Sequence, residues 1–108
     1  MTDLTNTEQK LLISMYRFFL ERQPALSEYD ARFIGNSDNV RDMFAPELPY
    51  EYVAELCWNL CRAGYILCDE GDNLANNIEL SRKTIIYMEQ RFSRNLHSIA
   101  SFLCSLRK

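Results

Sequence analysis

Four cysteines, a single histidine and a single tryptophan are the residues here whose types can carry chemistry beyond packing. Cys57 and Cys61 stand four apart, which on a helix puts both thiols on one side. Cys68 and Cys104 follow at wider spacing, and no Cys-x-x-Cys pair occurs. A structural zinc site draws ligands from closely spaced pairs, and His97 is remote in sequence, so neither a metal nor a cofactor is expected. Free thiols of this kind behave as small apolar residues, so all four are expected to be buried, as suits a reducing cytosol. His97 is followed by Ser98, but neighbouring helical residues do not share a face. With no Gly-rich phosphate cradle either, the residues point away from an enzyme.

Charge is the second source of chemistry. The net charge of −3 is unevenly spread, because all but one of the fifteen acidic side chains precede Arg82. From there on, Arg82, Lys83, Arg91, Arg94, Arg107 and Lys108 face Glu89 alone. Such a basic end can mark a nucleic-acid or acidic partner. Two solvated faces that balance within the domain or across a dimer are the plainer account.

The elements that position these residues follow from periodicity. A chain of 108 residues predicts a single domain spanning 1–108, with few Gly or Pro to break helices. No apolar run approaches the roughly 20 residues of a membrane span and no basic-then-apolar leader opens the chain, so no membrane association and a cytoplasmic location are expected. Thr5 and Glu8 form a capping-box pattern ahead of Leu11, Leu12, Met15, Phe18 and Phe19, a helical stripe ending near Arg22, before Pro24. Residues 26–36 admit two readings. Tyr29, Ala31 and Phe33 alternate like a strand, whereas Ser27 and Gly35 could bracket a short helix. Ser37 is a candidate cap for a helix carrying Val40, Met43 and Phe44, ended by Pro46.

From Pro49 the pattern predicts a helix burying Val53, Leu56, Cys57 and Leu60, stopped by Gly64. Tyr65, Ile66 and Leu67 begin a strand, Asp69 to Asn73 make a polar turn, and a second strand follows near Asn77 to Leu80. Ser81 then caps a long helix, 82–106, whose apolar positions Ile85, Met88, Phe92, Leu96, Ile99, Leu103 and Leu106 step by three or four. That near-heptad stripe predicts self-association, with Phe92, Leu96, Ile99, Leu103 and Leu106 as the dimer seam.

Gly64-Tyr65-Ile66 after an amphipathic helix, followed by Ile78-Glu79-Leu80-Ser81-Arg82-Lys83, is similar to the wing of small bacterial winged-helix regulators. In those, the strand after the wing typically reads apolar-x-Leu-Thr/Ser-x-x-Gly; Ile78, Leu80 and Ser81 match, and Thr84 stands where Gly is usual. The nearest architectural analogue is a PadR-like regulator with a dimerising C-terminal helix. The resemblance implies a mainly α fold with a small β-hairpin: a winged helix-turn-helix with its core at 7–84. Winged helices bind either DNA or proteins, so fold alone does not decide function.

In DNA-binding members the helix before the wing enters the major groove and the wing touches phosphate. Here the outward arc of that helix carries Glu51, Glu55, Trp58, Asn59 and Arg62, and the turn adds Asp69, Glu70 and Asp72. Duplex affinity comes largely from phosphate neutralisation, which an acidic surface opposes. Trp beside Arg is instead the composition of a protein-interface anchor, although Trp58 is equally open to being covered as core. The expectation is therefore a regulatory or adaptor module that dimerises and binds a protein partner through this acidic, Trp-bearing face. The alternative is a DNA-binding transcriptional regulator, with Arg62, Arg82 and Lys83 as its phosphate contacts.

Overall fold

The computed structural model describes residues 3–106 apart from 24 and 72, so the expectations placed on Pro24, Asp72, Arg107 and Lys108 lie outside the described residues. Thr5 starts the fold as expected: its hydroxyl accepts from the Glu8 N–H at 3.1 Å, and its own N–H donates to the Glu8 carboxylate at 3.0 Å. Helix α1 (Asn6–Glu21) runs from this capping box. Ile13 and Tyr16 are as fully buried as Leu12 and Phe19, a wider arc than the sequence stripe implied, because the last helix packs along its other side.

Residues 26–36 satisfy both of their patterns in succession. Ser27 caps a one-turn helix, α2 (Glu28–Ala31), and the strand β1 (Phe33–Gly35) follows directly. The next helix, α3 (Ser37–Phe44), is capped by Asn36 and not by Ser37, with reciprocal bonds between Asn36 and Asn39 at 2.9 and 3.0 Å. Ser37 is buried instead, and its hydroxyl accepts the Ala75 N–H at 3.2 Å. Gly35 makes room for this cap, since a Cβ there would lie 2.6 Å from the Asn39 side-chain oxygen.

Helix α4 (Tyr50–Arg62) buries Val53, Leu56, Cys57 and Leu60, the predicted stripe. It ends in a Schellman turn: Gly64 at φ +88° donates to the Cys61 carbonyl and Tyr65 to the Leu60 carbonyl, both at 3.0 Å. The chain then forms a hairpin of β2 (Ile66–Gly71) and β3 (Leu74–Leu80). With β1 this makes a three-stranded antiparallel sheet in the order β1-β3-β2. The expected five-residue polar turn is shorter, because Asp69, Glu70 and Gly71 pair with Asn76, Ala75 and Leu74 as strand residues. An extra residue in β3 opposite Cys68 bulges the ladder, and Asn77 takes the left-handed conformation there (φ 54°).

Ser81 caps α5 (Arg82–Phe92) as predicted. The long helix over 82–106 does not form. Ser93 and Arg94 both adopt left-handed geometry, at φ 51° and 59°, and Asn95 caps a separate helix, α6 (Leu96–Ser105). The reversal is held by Arg94, which donates to the Glu89 carboxylate at 3.1 Å and to the Gln23 side chain at 2.7 Å. Helix α6 thereby returns across α1. The apolar seam is broken with it: Phe92 and Ile99 are buried in the chain's own core, Leu103 and Leu106 pack against that core, and Leu96 is exposed.

Two consecutive non-glycine residues in the left-handed region are costly, at about 1–2 kcal/mol each. Ser93→Gly is therefore expected to raise the free energy of unfolding in urea by about 1 kcal/mol. A continuous helix through position 93 predicts the opposite sign, a loss of roughly 0.5 kcal/mol from the poorer helix propensity of glycine.

Candidate functional site

The polar groups of this chain fall into two kinds, those consumed by the fold and those left over. Arg41 belongs to the first. Its Nε donates to the Leu48 carbonyl at 2.9 Å, its guanidinium bonds Asp42 at 3.0 Å and Tyr50 at 3.1 Å, and it lies 4.3 Å from the Tyr50 ring centre. The hydrogen bonds from Arg41 and Tyr50 hold the Asp42 carboxyl below its ordinary range. This cluster braces the connection between α3 and α4. Beside it an open groove of about 580 Å³ is lined by Phe18, Arg22, Phe33, Asn39, Asp42 and Met43. Its polar groups are already engaged, Arg22 on the Phe33 carbonyl, Asn39 in the α3 cap and Asp42 on Arg41, so nothing there converges on a ligand.

The thiols are not uniformly buried. Cys57 is buried on α4, Cys61 and Cys68 are half-buried, and Cys104 is exposed because it sits on the outer side of α6. Cys68 on β2 neighbours both α4 cysteines, as the return of the chain through Gly64 requires. Desolvation pushes the Cys57 thiol up to about 12, and desolvation followed by contact with Cys61 does the same to Cys68. Among the described residues no group of three or more Cys, His, Asp or Glu is placed to hold a metal ion. His97 lies exposed on the first turn of α6.

The face of α4 and the hairpin carries the groups left over. Glu51 and Glu55 are exposed on α4, and Asp69 and Glu70 are exposed on β2; none of the four forms an ion pair among the described residues. Asp69 accepts one hydrogen bond, from Asn77 at 3.1 Å. Trp58 lies between these groups, half-buried against the core, and with Glu70, Gly71 and Asn73 it lines an open groove of about 380 Å³. What partly covers Trp58 is the hairpin. Its Nε1 is hidden from solvent and has no acceptor among the described residues. A buried donor left unpaired costs about 1–3 kcal/mol.

Two residues expected on this face are turned to other work. Asn59 donates to the buried Glu8 carboxylate at 3.1 Å and so bonds α4 to the cap of α1. Arg62 in turn donates to Asn59 at 2.7 Å. The other expected phosphate contacts are also occupied. Arg82 pairs with Glu28 at 3.4 Å, and Lys83 donates to the Ala63 carbonyl at 3.3 Å while lying over the Tyr65 ring. Sequence reasoning missed the exposed Tyr52 of α4 and Leu67 of β2, apolar neighbours of the acidic groups.

No helix among the described residues is long and apolar enough to cross a membrane. No family model, no curated protein and no solved structure matches the chain.

The thiol environments set an order of reactivity. With the folded protein at pH 8, a soluble alkylating reagent is expected to modify Cys104 first and Cys57 last, followed peptide by peptide in the mass spectrometer. In denaturant the four rates converge.

Proposed function

We propose that this chain is a non-enzymatic binding module of winged-helix type that engages a protein partner through the face built from α4 and the β2–β3 hairpin. The fold part of this reading is supported by the succession α1, β1, α3, α4, β2, β3 together with the sheet order β1-β3-β2. In that arrangement α4 stands where a reading helix would, and the hairpin where a wing would. The single observation that carries the functional part is the sign of the charge there. Glu51, Glu55, Asp69 and Glu70 are exposed and unpaired among the described residues, while Arg62, Arg82 and Lys83, also exposed, each bond a group of the fold.

Phosphate is the wrong counterpart for such a face. Each protein–phosphate contact gains by releasing condensed counterions, and carboxylates at the interface reverse that gain. Trp58 and Tyr52 with surrounding charge offer what a polypeptide surface uses instead, an aromatic anchor within a polar rim. Self-association through the last helix has lost its premise, since Phe92 and Ile99 are already buried within one chain.

The test is fluorescence anisotropy of a labelled mixed-sequence duplex at low salt, where non-specific electrostatic binding is strongest. No rise in anisotropy is expected. Salt-sensitive binding that disappears when Arg62, Arg82 and Lys83 are changed to Gln would overturn the proposal in favour of a DNA-binding regulator.

A further inference from the structure

We propose that the partner binds as an extended, basic segment that adds a strand to the outer edge of β2, on the face that carries Trp58. This rests on the reading of the α4–hairpin face as a protein-binding surface and specifies its occupant.

The sheet order leaves β2 paired with β3 alone, so its second edge carries no strand among the described residues. An open edge presents unpaired N–H and C=O groups, and proteins commonly blunt such edges with Lys, Pro or a bulge. Here β2 contains neither Lys nor Pro, and the bulged residue belongs to β3. The edge is therefore fit for strand addition over its six residues, Ile66–Gly71.

The chemistry of the occupant follows from what flanks the edge. Asp69 and Glu70 stand on the strand itself, and Glu55 lies one helical turn before Trp58 on α4. A second copy of this chain pairing antiparallel over the whole edge would set Asp69 diagonal to the partner's Glu70, and like charges so placed are destabilising. A segment carrying Lys or Arg at alternate positions meets the opposite condition. Leu67 and Asp69 share one face of β2 and Glu70 lies on the other, so the segment's cations meet Glu70 while its apolar positions lie over the exposed Leu67. The groove lined by Trp58, Glu70, Gly71 and Asn73 takes in the last two residues of β2. A strand laid there lies beside the one indole of the chain.

The experiment titrates the full chain with a capped hexapeptide of alternating lysine and valine. The reporters are the fluorescence and the Nε1–H proton resonance of Trp58, the only tryptophan. Binding is expected to shift that resonance and to slow amide exchange along β2. The same peptide N-methylated at alternate residues keeps its charge but loses strand donors, and is expected to bind about tenfold more weakly, the loss of one or two net hydrogen bonds. Glu70→Gln, which keeps the strand and the Trp58 reporter but removes the charge, is expected to weaken the unmethylated peptide severalfold. Equal affinity for the two peptides would overturn strand addition and leave an acidic face that attracts cations, with the protein-partner reading intact. Binding of neither peptide would overturn the basic extended occupant. Tight duplex DNA binding in the same buffer would overturn the protein-partner reading itself.

Discussion

One backbone oxygen joins the parts on which the surface depends. The carbonyl of Tyr65 receives the Ser81 N–H at 3.1 Å and lies 3.0 and 2.7 Å from the hydroxyls of Ser81 and Thr84. Tyr65 is the first residue past the Gly64 turn, and Ser81 and Thr84 open α5. The exit of α4, both ends of the hairpin and the start of α5 are thus fastened at one point. Lys83 closes the same joint from outside by bonding the Ala63 carbonyl and covering the Tyr65 ring. A side chain at position 64 would intrude here, with a Cβ 2.9 Å from the Lys83 Nζ as well as a disfavoured φ. Thr84, the departure from the familiar strand-to-helix pattern, serves as an additional anchor at this joint.

Features set by neighbours in sequence were legible from it. The Thr5–Glu8 box, the α4 stripe, the Gly64 stop and the Ser81 cap each need only residues within a turn or two, and each forms. Residues 26–36 resisted because a four-residue helix and a three-residue strand are both too short to establish a period. Asp69 and Glu70 read as turn because they are polar, yet an edge strand can leave its side chains in water while its backbone pairs on one side. The last helix misled for a different reason. Phe92 and Leu96 keep four-residue spacing across the break, so the hydrophobic period cannot report it. The available signal was the polar run Ser93-Arg94-Asn95, with Asn95 three residues before Ser98, whose N–H it accepts at 3.1 Å.

The candidate surface was legible in its charge and opaque in its commitments. A helical projection can say that Asn59 and Arg62 point away from the stripe, but not that Glu8, fifty-one positions earlier, claims the former. Nor can it say that Arg82 finds Glu28 or that Lys83 folds back on the end of α4. These long-range bonds deepen the contrast already present in composition. They give the exposed cations partners within the chain and leave the carboxylates of α4 and β2 without an ion pair among the described residues.

The return of α6 across α1 has a consequence for how the chain acquires this shape. Helix α1 is synthesised before α6, yet part of its apolar surface is covered by α6, near position 99. Contacts so distant in sequence require closure of a long stretch of chain before they contribute, which slows folding. Until then Tyr16 and its neighbours have no permanent cover, a condition that favours off-pathway association. The rate at which the Ser93–Asn95 reversal forms thus governs how long the nascent α1 remains adhesive.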